Sequence, residues 1–356
     1  MKSLIRMPRY TSMLLIAALL LASQLASASE GLVKKINESY KVKSGQILAI
    51  SNQFGDVEIT HWDKQEVKVE IEVIVDYKNQ EKGQEQLDKI QIKIENGDKK
   101  LSIKTDIDNK GDASISKNEK MEINYTISMP ANMPLELKNK FGDISLDSRT
   151  AKTMIELQFG SAKIGKLEHM ENDLTFKFSD PVIIDGLGGG ELVVKFSKLE
   201  LGDCGNIDLT SEMSTTNASD MGDSKVKVSH GGFTAATIEK IDLKSSMSTI
   251  KIERLEKGGS IDAGYGKLII EELSKNFEGL EIDSKFGPVE IGIEQGSKLK
   301  LDAETSMADL QLPSGYKVVK SSDVGNNKSF QGAIGGDGSS LPVLKVTNSF
   351  GSTKIR

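Results

Sequence analysis

The chain is written in short bursts of alternating apolar and polar residues. In "LELKNKFGDISL", Leu135, Leu137, Asn139 and Phe141 share one parity, whereas Ile144 and Leu146, after Gly142, take the other. The same break recurs in "IDLKSSMSTIKI", where Ile241, Leu243, Ser245 and Met247 precede Ile250 and Ile252. It returns at Leu280, Ile282 and Phe286 before Val289 and Ile291, and at Val346 and Phe350 before Thr353 and Ile355. Alternation at period two marks a strand with one buried face, and a slip of one residue would turn every later side chain outward. The slip is therefore a backbone event, a bulge or corner that keeps both halves facing one interior. Glycine, free to take φ > 0, is expected to make that corner, and the large residue before it to pack inward. Serine fits such a corner less well, so some corners are expected not to be left-handed. The unit at Phe178 departs from the rule: Pro181 and Ile183 take the inward parity there, and Val182 and Ile184 point out.

Aligned on this corner, Phe141, Phe159, Phe178, Phe196, Met213, His230, Met247, Tyr265, Phe286, Met307 and Phe350 hold one place. Gly or Ser follows each of them except Met307, which Ala308 follows. Steps of about 17 to 21 residues, with a last step about twice as long, are the mark of a solenoid. The expected fold is all-β: a β-solenoid, a β-helix-like stack of two-strand rungs whose corner side chains line one dry column. A single rung cannot close a core, whereas stacked rungs can. Ten or so rungs at about 4.8 Å make a rod on the order of 50 Å long.

Residues 29–130 are expected to form a wider N-terminal β region continuous with the solenoid repeats of 131–356. One clear rung phrase, at Phe54, lies there among longer strands at Lys41–Ser51, Val57–Thr60 and Val67–Asp76. "NQEKGQEQLDKI" carries charges at helical spacing and predicts a short helix. "IQIKIENGDKKLSIKTDI" predicts a hairpin turning at Asn96-Gly97, and "KMEINYTISMP" a further strand. Two polar stretches rich in Gly, Asn and Ser, near 106–120 and at "SSDVGNNKSFQGAIGGDGSS", read as loops. The closing phrase "LKVTNSFGSTKIR" would leave an open sheet edge, which Lys354 and Arg356 discourage from self-association.

Composition changes this picture at the N-terminus. Lys2, Arg6 and Arg9 precede an unbroken apolar run, Met13–Ala22, and Ala26-Ser27-Ala28 is a small-x-small cleavage pattern. Residues 1–28 are therefore expected to be a signal peptide, and the chain to be exported to the periplasm, the cell surface or the medium, with no membrane span after cleavage. Removal takes away three positive charges and no acidic one, so the formal charge of −6 becomes −9. That balance excludes nucleic acid as a partner. The one cysteine, Cys204, makes no intrachain disulfide and reads as a small buried side chain.

Candidate chemistry is thin. Asp106, Asp108, Gly111 and Asp112 resemble the start of a calcium loop, but Lys110 and Lys117 stand where the pattern needs oxygen ligands. Glycines in "GLGGGELVV" and "GAIGGDGSS" lack the following basic residue and helix of a phosphate cradle and read as turns between rungs. His61, His169 and His230 have no metal-ligand spacing, and His230 reads as a member of the corner stack. Asp56 and Asp143 follow the Phe-Gly pair in equivalent places; a turn role is preferred over the acid chemistry that aligned carboxylates would permit. Catalytic, cofactor-binding and metal-binding residues are accordingly expected to be none, and no cofactor is implied.

A signal segment, then "ILAISNQFGDVEITHWDKQEVKVEIEV", then "LDKIQIKIENGDKKLSIKTDI", then repeated "NKFGDISL" phrases together resemble the toast-rack-like β-strand-repeat family of exported bacterial envelope proteins, which carry an adhesin label. The resemblance covers most of the chain after residue 28. It implies a stacked β-solenoid and carries over no catalytic set. The expected function is a non-enzymatic envelope protein, an adhesin-like or scaffold module that binds an envelope protein or a surface glycan across several rungs of a repetitive polar surface. A carbohydrate-active β-helix enzyme and an envelope-stress sensing partner are the alternatives.

Overall fold

The computed structural model describes residues 31–108, 119–313, 317–336 and 340–356. The expected signal peptide lies outside them, as does most of the 106–120 loop. Among the described residues strands dominate from Leu32 to Ile355, with one helix at Gln80–Lys89. The central coils stack in parallel with a register of 17 residues, as in Lys198↔Thr215 and Thr215↔Gly232. The fold is the expected β-solenoid, with one refinement: each central coil pairs with the next in three stretches, not two. Between successive coils these are Thr215–Ala218, Asp220–Met221 and Asp223–Ser229, separated by skipped residues Ser219 and Gly222. The sequence showed only the corner that breaks parity. The other two fall in weakly apolar stretches, where "GLGGGELVV" supplies Gly188 and Gly190 within a single coil.

The interior follows the alternation. Leu135, Leu137, Ile144 and Leu146 are all buried, and so is Asn139, whose Nδ2 donates to the Gly55 carbonyl at 3.0 Å. The corner itself is built differently from the expectation. The residue with positive φ is the large one: Phe54, the eleven residues aligned with it and no other described non-glycine residue have φ between 47° and 64°. A left-handed turn there reverses the side chain, so Phe141 and its equivalents stand outside the core, not in a dry column. The following glycine serves close approach instead. A Cβ at Gly142 would sit 2.0 Å from the Gly55 carbonyl oxygen of the adjacent rung. In the glycine rungs the corner N–H bonds backbone to backbone, Gly55 N donating to Phe141 O at 3.0 Å. In the serine rungs the side chain takes over: Ser179 N donates to Ser197 Oγ at 2.9 Å and Ser197 N to Ser214 Oγ at 3.0 Å. Each of those two hydroxyls donates in turn to the carbonyl two residues back, Lys195 O at 2.7 Å and Glu212 O at 2.8 Å. Serine therefore fits the same left-handed corner.

The Phe178 unit holds one extra residue, since Gly160 and Ala162 pair with Ser179 and Val182. The insertion at Asp180-Pro181 resets the parity, so Val182 and Ile184 are buried and Ile183 is outside, the reverse of the sequence reading. The two ends are finished by antiparallel strands. At the N-terminal end the strand Ile47–Gln53 lies between Lys100–Ile107 and Leu135–Lys140. Beyond it, Ile90–Asn96 and Lys100–Ile107 form the predicted hairpin, and Leu32–Lys41, Glu66–Asp76 and Lys120–Met129 pair antiparallel. The expected strand Lys41–Ser51 is broken before Ile47 at Gly45, which has φ 77°. The helix is capped by Asn79, whose side chain accepts from Lys82 N at 3.1 Å.

At the other end the chain does not stop on an open edge. Val343–Ser349 lies between Gly279–Lys285 and Leu299–Ser306, each parallel to it. Thr353–Ile355 lies between Val289–Ile293 and Leu310–Gln311. The stretch read as a loop forms the hairpin Lys317–Val324 with Asn327–Ile334, and its second strand covers Leu299–Ser306. Its strands went unseen because they have little to bury: among its described side chains Phe330 is the one large apolar group that is buried, while Val319 and Val324 are exposed.

Candidate interaction surfaces

The reversed corner residues form a ridge along the outside of the solenoid. Its order in space is Phe54, Phe141, Phe159, Phe178, Phe196, Met213, His230, Met247, Tyr265, Phe286, Phe350 and Met307. Adjacent aromatic rings stack with centroids 4.5 to 5.2 Å apart and interplanar angles of 4° to 13°. From Phe141 onward the apolar members are exposed, from 39% at Phe159 to 57% at Met307. Because each ring covers the face of the next, the ridge turns ring edges outward. Edges are the positive rim of the aromatic quadrupole and are poor platforms for a sugar, which stacks on a face.

The ridge has two chemically different flanks. The residue before each corner is Lys140, Lys177 and Lys195 in three of the first five rungs, and the second residue after it is Asp56, Asp143 and Asp180 in three of the same five. Lys198 is the one base on the acidic side there. The first two of these aspartates also serve the backbone. Asp143 N donates to Asp56 Oδ1 at 2.8 Å, and Ser161 N to Asp143 Oδ1 at 2.7 Å. The aligned carboxylates thus cap the corner of the next rung.

A groove of about 870 Å³ lies across several rungs elsewhere on the solenoid, from Met170 to Gly279. It is lined by columns in which pairing sets one side chain per rung: Glu191, Asp208, Lys225, Asp242 and Ser260 in one, Asp223 and Lys240 in the next. The columns are stitched together, Lys225 Nζ lying 4.0 Å from Asp208 Oδ2 and Ser260 Oγ donating to Asp242 Oδ1 at 3.2 Å. Lys257 pairs with Glu239, which holds its ammonium above the ordinary range. Most side chains lining the groove are polar or charged, and both signs of charge are present. Among the described residues no group of three or more His, Cys, Asp or Glu side chains is placed to hold a metal ion.

Of the sequence candidates, His230 joins the ridge, Asp56 and Asp143 flank it, and Gly190 of the glycine-rich stretch lines the groove; the others lie elsewhere. Asp106 pairs with Lys93 on the N-terminal hairpin, while Lys110, Gly111, Asp112 and Lys117 lie outside the described residues. His169 Nδ1 accepts from Glu171 N at 3.0 Å in a turn. Cys204 is half-buried, and burial, helped by the Asp203 charge, pushes its thiol up to about 12, far from a reactive thiolate. His61 is half-buried, with both ring nitrogens shielded from water and beside the Ser148 backbone. It lies near Arg149, whose fully buried guanidinium donates to the Met133 carbonyl and is pulled down to about 10 by burial. Nothing in the local sequence "DSRTAK" signalled a buried arginine.

No family model matches the chain, and no curated protein does. Among solved structures, it is similar to "a putative cell adhesion protein" from Clostridium sporogenes, at 11% identity over 90% of this chain and 99% of that one, with a TM-score of 0.21. It is also similar to "a putative adhesin" from Bacteroides fragilis, at 12% identity over 91% and 97% of the two chains, TM-score 0.25. A third, "a putative adhesin" from Parabacteroides merdae, has 10% identity over 91% and 96%, TM-score 0.27. At these scores the likenesses carry nothing about ligand or reaction, and the surfaces above must speak for themselves.

Proposed function

We propose that the chain is an exported, non-enzymatic binding module of the cell envelope, adhesin-like or scaffolding, that holds an extended polar ligand along the groove. The observation that carries this reading is the rung-by-rung column Glu191, Asp208, Lys225, Asp242, Ser260. A surface lattice of hydrogen-bond acceptors and donors at a fixed repeat suits a polymer of hydroxyl-bearing units, and its mixed charge suits a neutral one. A surface glycan meets both conditions. Binding is spread over several rungs, each contributing little alone, so avidity along the polymer supplies the affinity.

The test is retention of residues 29–356 on a panel of envelope polysaccharides, with Asp208→Ala combined with Asp242→Ala as the groove variant. Retention of a neutral polymer by the native chain, weakened about tenfold or more in the variant, is the expected result; that is the loss of about 1.4 kcal/mol of binding. Failure of every polymer to be retained, or retention indifferent to the variant, would overturn the reading. So would turnover of the polymer abolished by removing one carboxylate, which would make the chain an enzyme.

A further inference from the structure

We propose that the ridge is a self-association surface, and that two copies of this chain pair ridge to ridge, side by side and pointing the same way. The inference does not use the groove and goes beyond the binding reading.

Three features of the ridge select a second copy as its occupant. The first is area. Ten of its twelve side chains are large apolar residues 39% to 57% exposed. With full side-chain areas of 150–250 Å², that is about 1,000 Å² in one continuous strip. A monomer's largest apolar patch is ordinarily a few hundred Å², and a stable complex covers about 800 Å² per partner. The second is pitch. The rings repeat every 4.5 to 5.2 Å. A partner matches every rung only if its own side chains keep the spacing of stacked strands, and a second copy does so by construction.

The third feature is charge, and it fixes the direction. A two-fold axis parallel to the rods turns one copy to face the other while keeping each rung level with its equivalent. It also brings the basic flank of one copy against the acidic flank of its partner. With the rungs level, Lys140 meets Asp143 and Lys177 meets Asp180 on both sides of the ridge, while Lys195, level with Lys198, is paired with Glu212 of its own chain. Antiparallel rods would instead set the basic flank against the far half of the same flank, where the residues before the corners are Ser229, Ser246, Gly264, Lys285, Ser349 and Ser306. The parallel arrangement is isologous and closes on itself, so it makes dimers and not filaments.

The experiment uses residues 29–356 in solution. Sedimentation velocity across a concentration series is expected to show a monomer–dimer equilibrium. Lys140→Glu with Lys177→Glu, both on the surface, puts like charges face to face and is expected to raise the dissociation constant about tenfold or more, with the loss greater at low salt. Direction is read with Met307→Cys in a Cys204→Ser background, oxidised with copper phenanthroline. Met307 is the last rung of the ridge, so a parallel dimer sets the two introduced thiols opposite each other and yields a disulfide-linked dimer. Antiparallel rods place them at opposite ends, on the order of 50 Å apart. A monomer at all concentrations overturns the proposal, as does a dimer that ignores the charge reversal or fails to cross-link at Met307→Cys. Circular dichroism of each variant confirms that the fold is kept, and the polysaccharide assay reports separately on the groove.

Discussion

Phe176 and Phe178 stand two residues apart on one rung, and by the rule of alternation they belong on the same side. Phe176 is fully buried, whereas Phe178 is 44% exposed. The difference lies in the backbone, since Phe178 has φ 52° and Phe176 is in extended strand. A left-handed residue in a strand costs about 1–2 kcal/mol for a side chain with a Cβ. The chain accepts that cost at twelve rungs, and the return is a column of rings stacked outside on one another. The two columns therefore share a period but depend on different forces. The inner one is held by burial on all sides, and the outer one by ring-on-ring contact with one edge in water.

Alanine at the two positions separates these forces most strongly. Phe176→Ala opens a cavity in a fully buried site and is expected to cost about 3–5 kcal/mol. Phe178→Ala leaves a gap that water fills, and removes roughly half the apolar burial, so a loss of about 1–2 kcal/mol is expected. Urea unfolding at a concentration where the chain is monomeric measures both. Equal losses would mean that the outer column is as much core as the inner one, and that the account of the corner is mistaken.

A second contrast lies one residue past the corner. Gly142→Ala would place a methyl 2.0 Å from the Gly55 carbonyl oxygen, so two rungs must move apart. Overpacking of that kind is expected to cost about 1–3 kcal/mol. Gly232→Ala puts the same methyl where no atom lies within 4 Å, and its φ is ordinary. A change within about 0.5 kcal/mol of zero, or a slight gain from a stiffer unfolded chain, is expected there. If thermal unfolding moved alike for both, the glycine after the corner would be serving conformation and not approach.

Much of this was legible in the sequence. The parity slip placed one corner of each rung, the period gave the stacking, and Asn96-Gly97 and "NQEKGQEQLDKI" gave the hairpin and helix. What misled was the assignment of the left-handed residue. Sequence rules award φ > 0 to glycine because it is cheapest there, yet the glycine was needed one place later, where neighbouring backbones touch. Both residues of "Phe-Gly" are determined by the rung next door, and a single-rung reading cannot see that. The same blindness hid the C-terminal threading. "LKVTNSFGSTKIR" looks like any other rung, and nothing within it says that it lies between the Phe286 and Met307 rungs. The ridge was present as a set of aligned residues, but its exposure depends on a dihedral angle. The groove depends on columns drawn from five coils, and no local motif announces it.

The smallest expected effect is a pH dependence at His61, near the inner face of the N-terminal rungs. Its ring is half-buried, with both nitrogens shielded from water. Burial lowers its pKa from the ordinary 6.5, and the Arg149 guanidinium lowers it further; the Asp147 carboxylate and the Ser148 backbone oppose them. The folded chain therefore takes up this proton later than the unfolded chain as pH falls. Stability from the neutral ring is complete above about pH 6.5 and is lost as pH drops from there through the lower folded value. His61→Phe keeps the volume and removes the titration. Between about pH 7.5 and pH 5 the native chain should lose more stability than the variant, the carboxylates they share cancelling in the comparison. Urea midpoints at the two pH values measure the difference. Parallel losses in the two proteins would mean that the ring reaches water or a partner, and that the interior beside Arg149 is less dry than the outer column is wet.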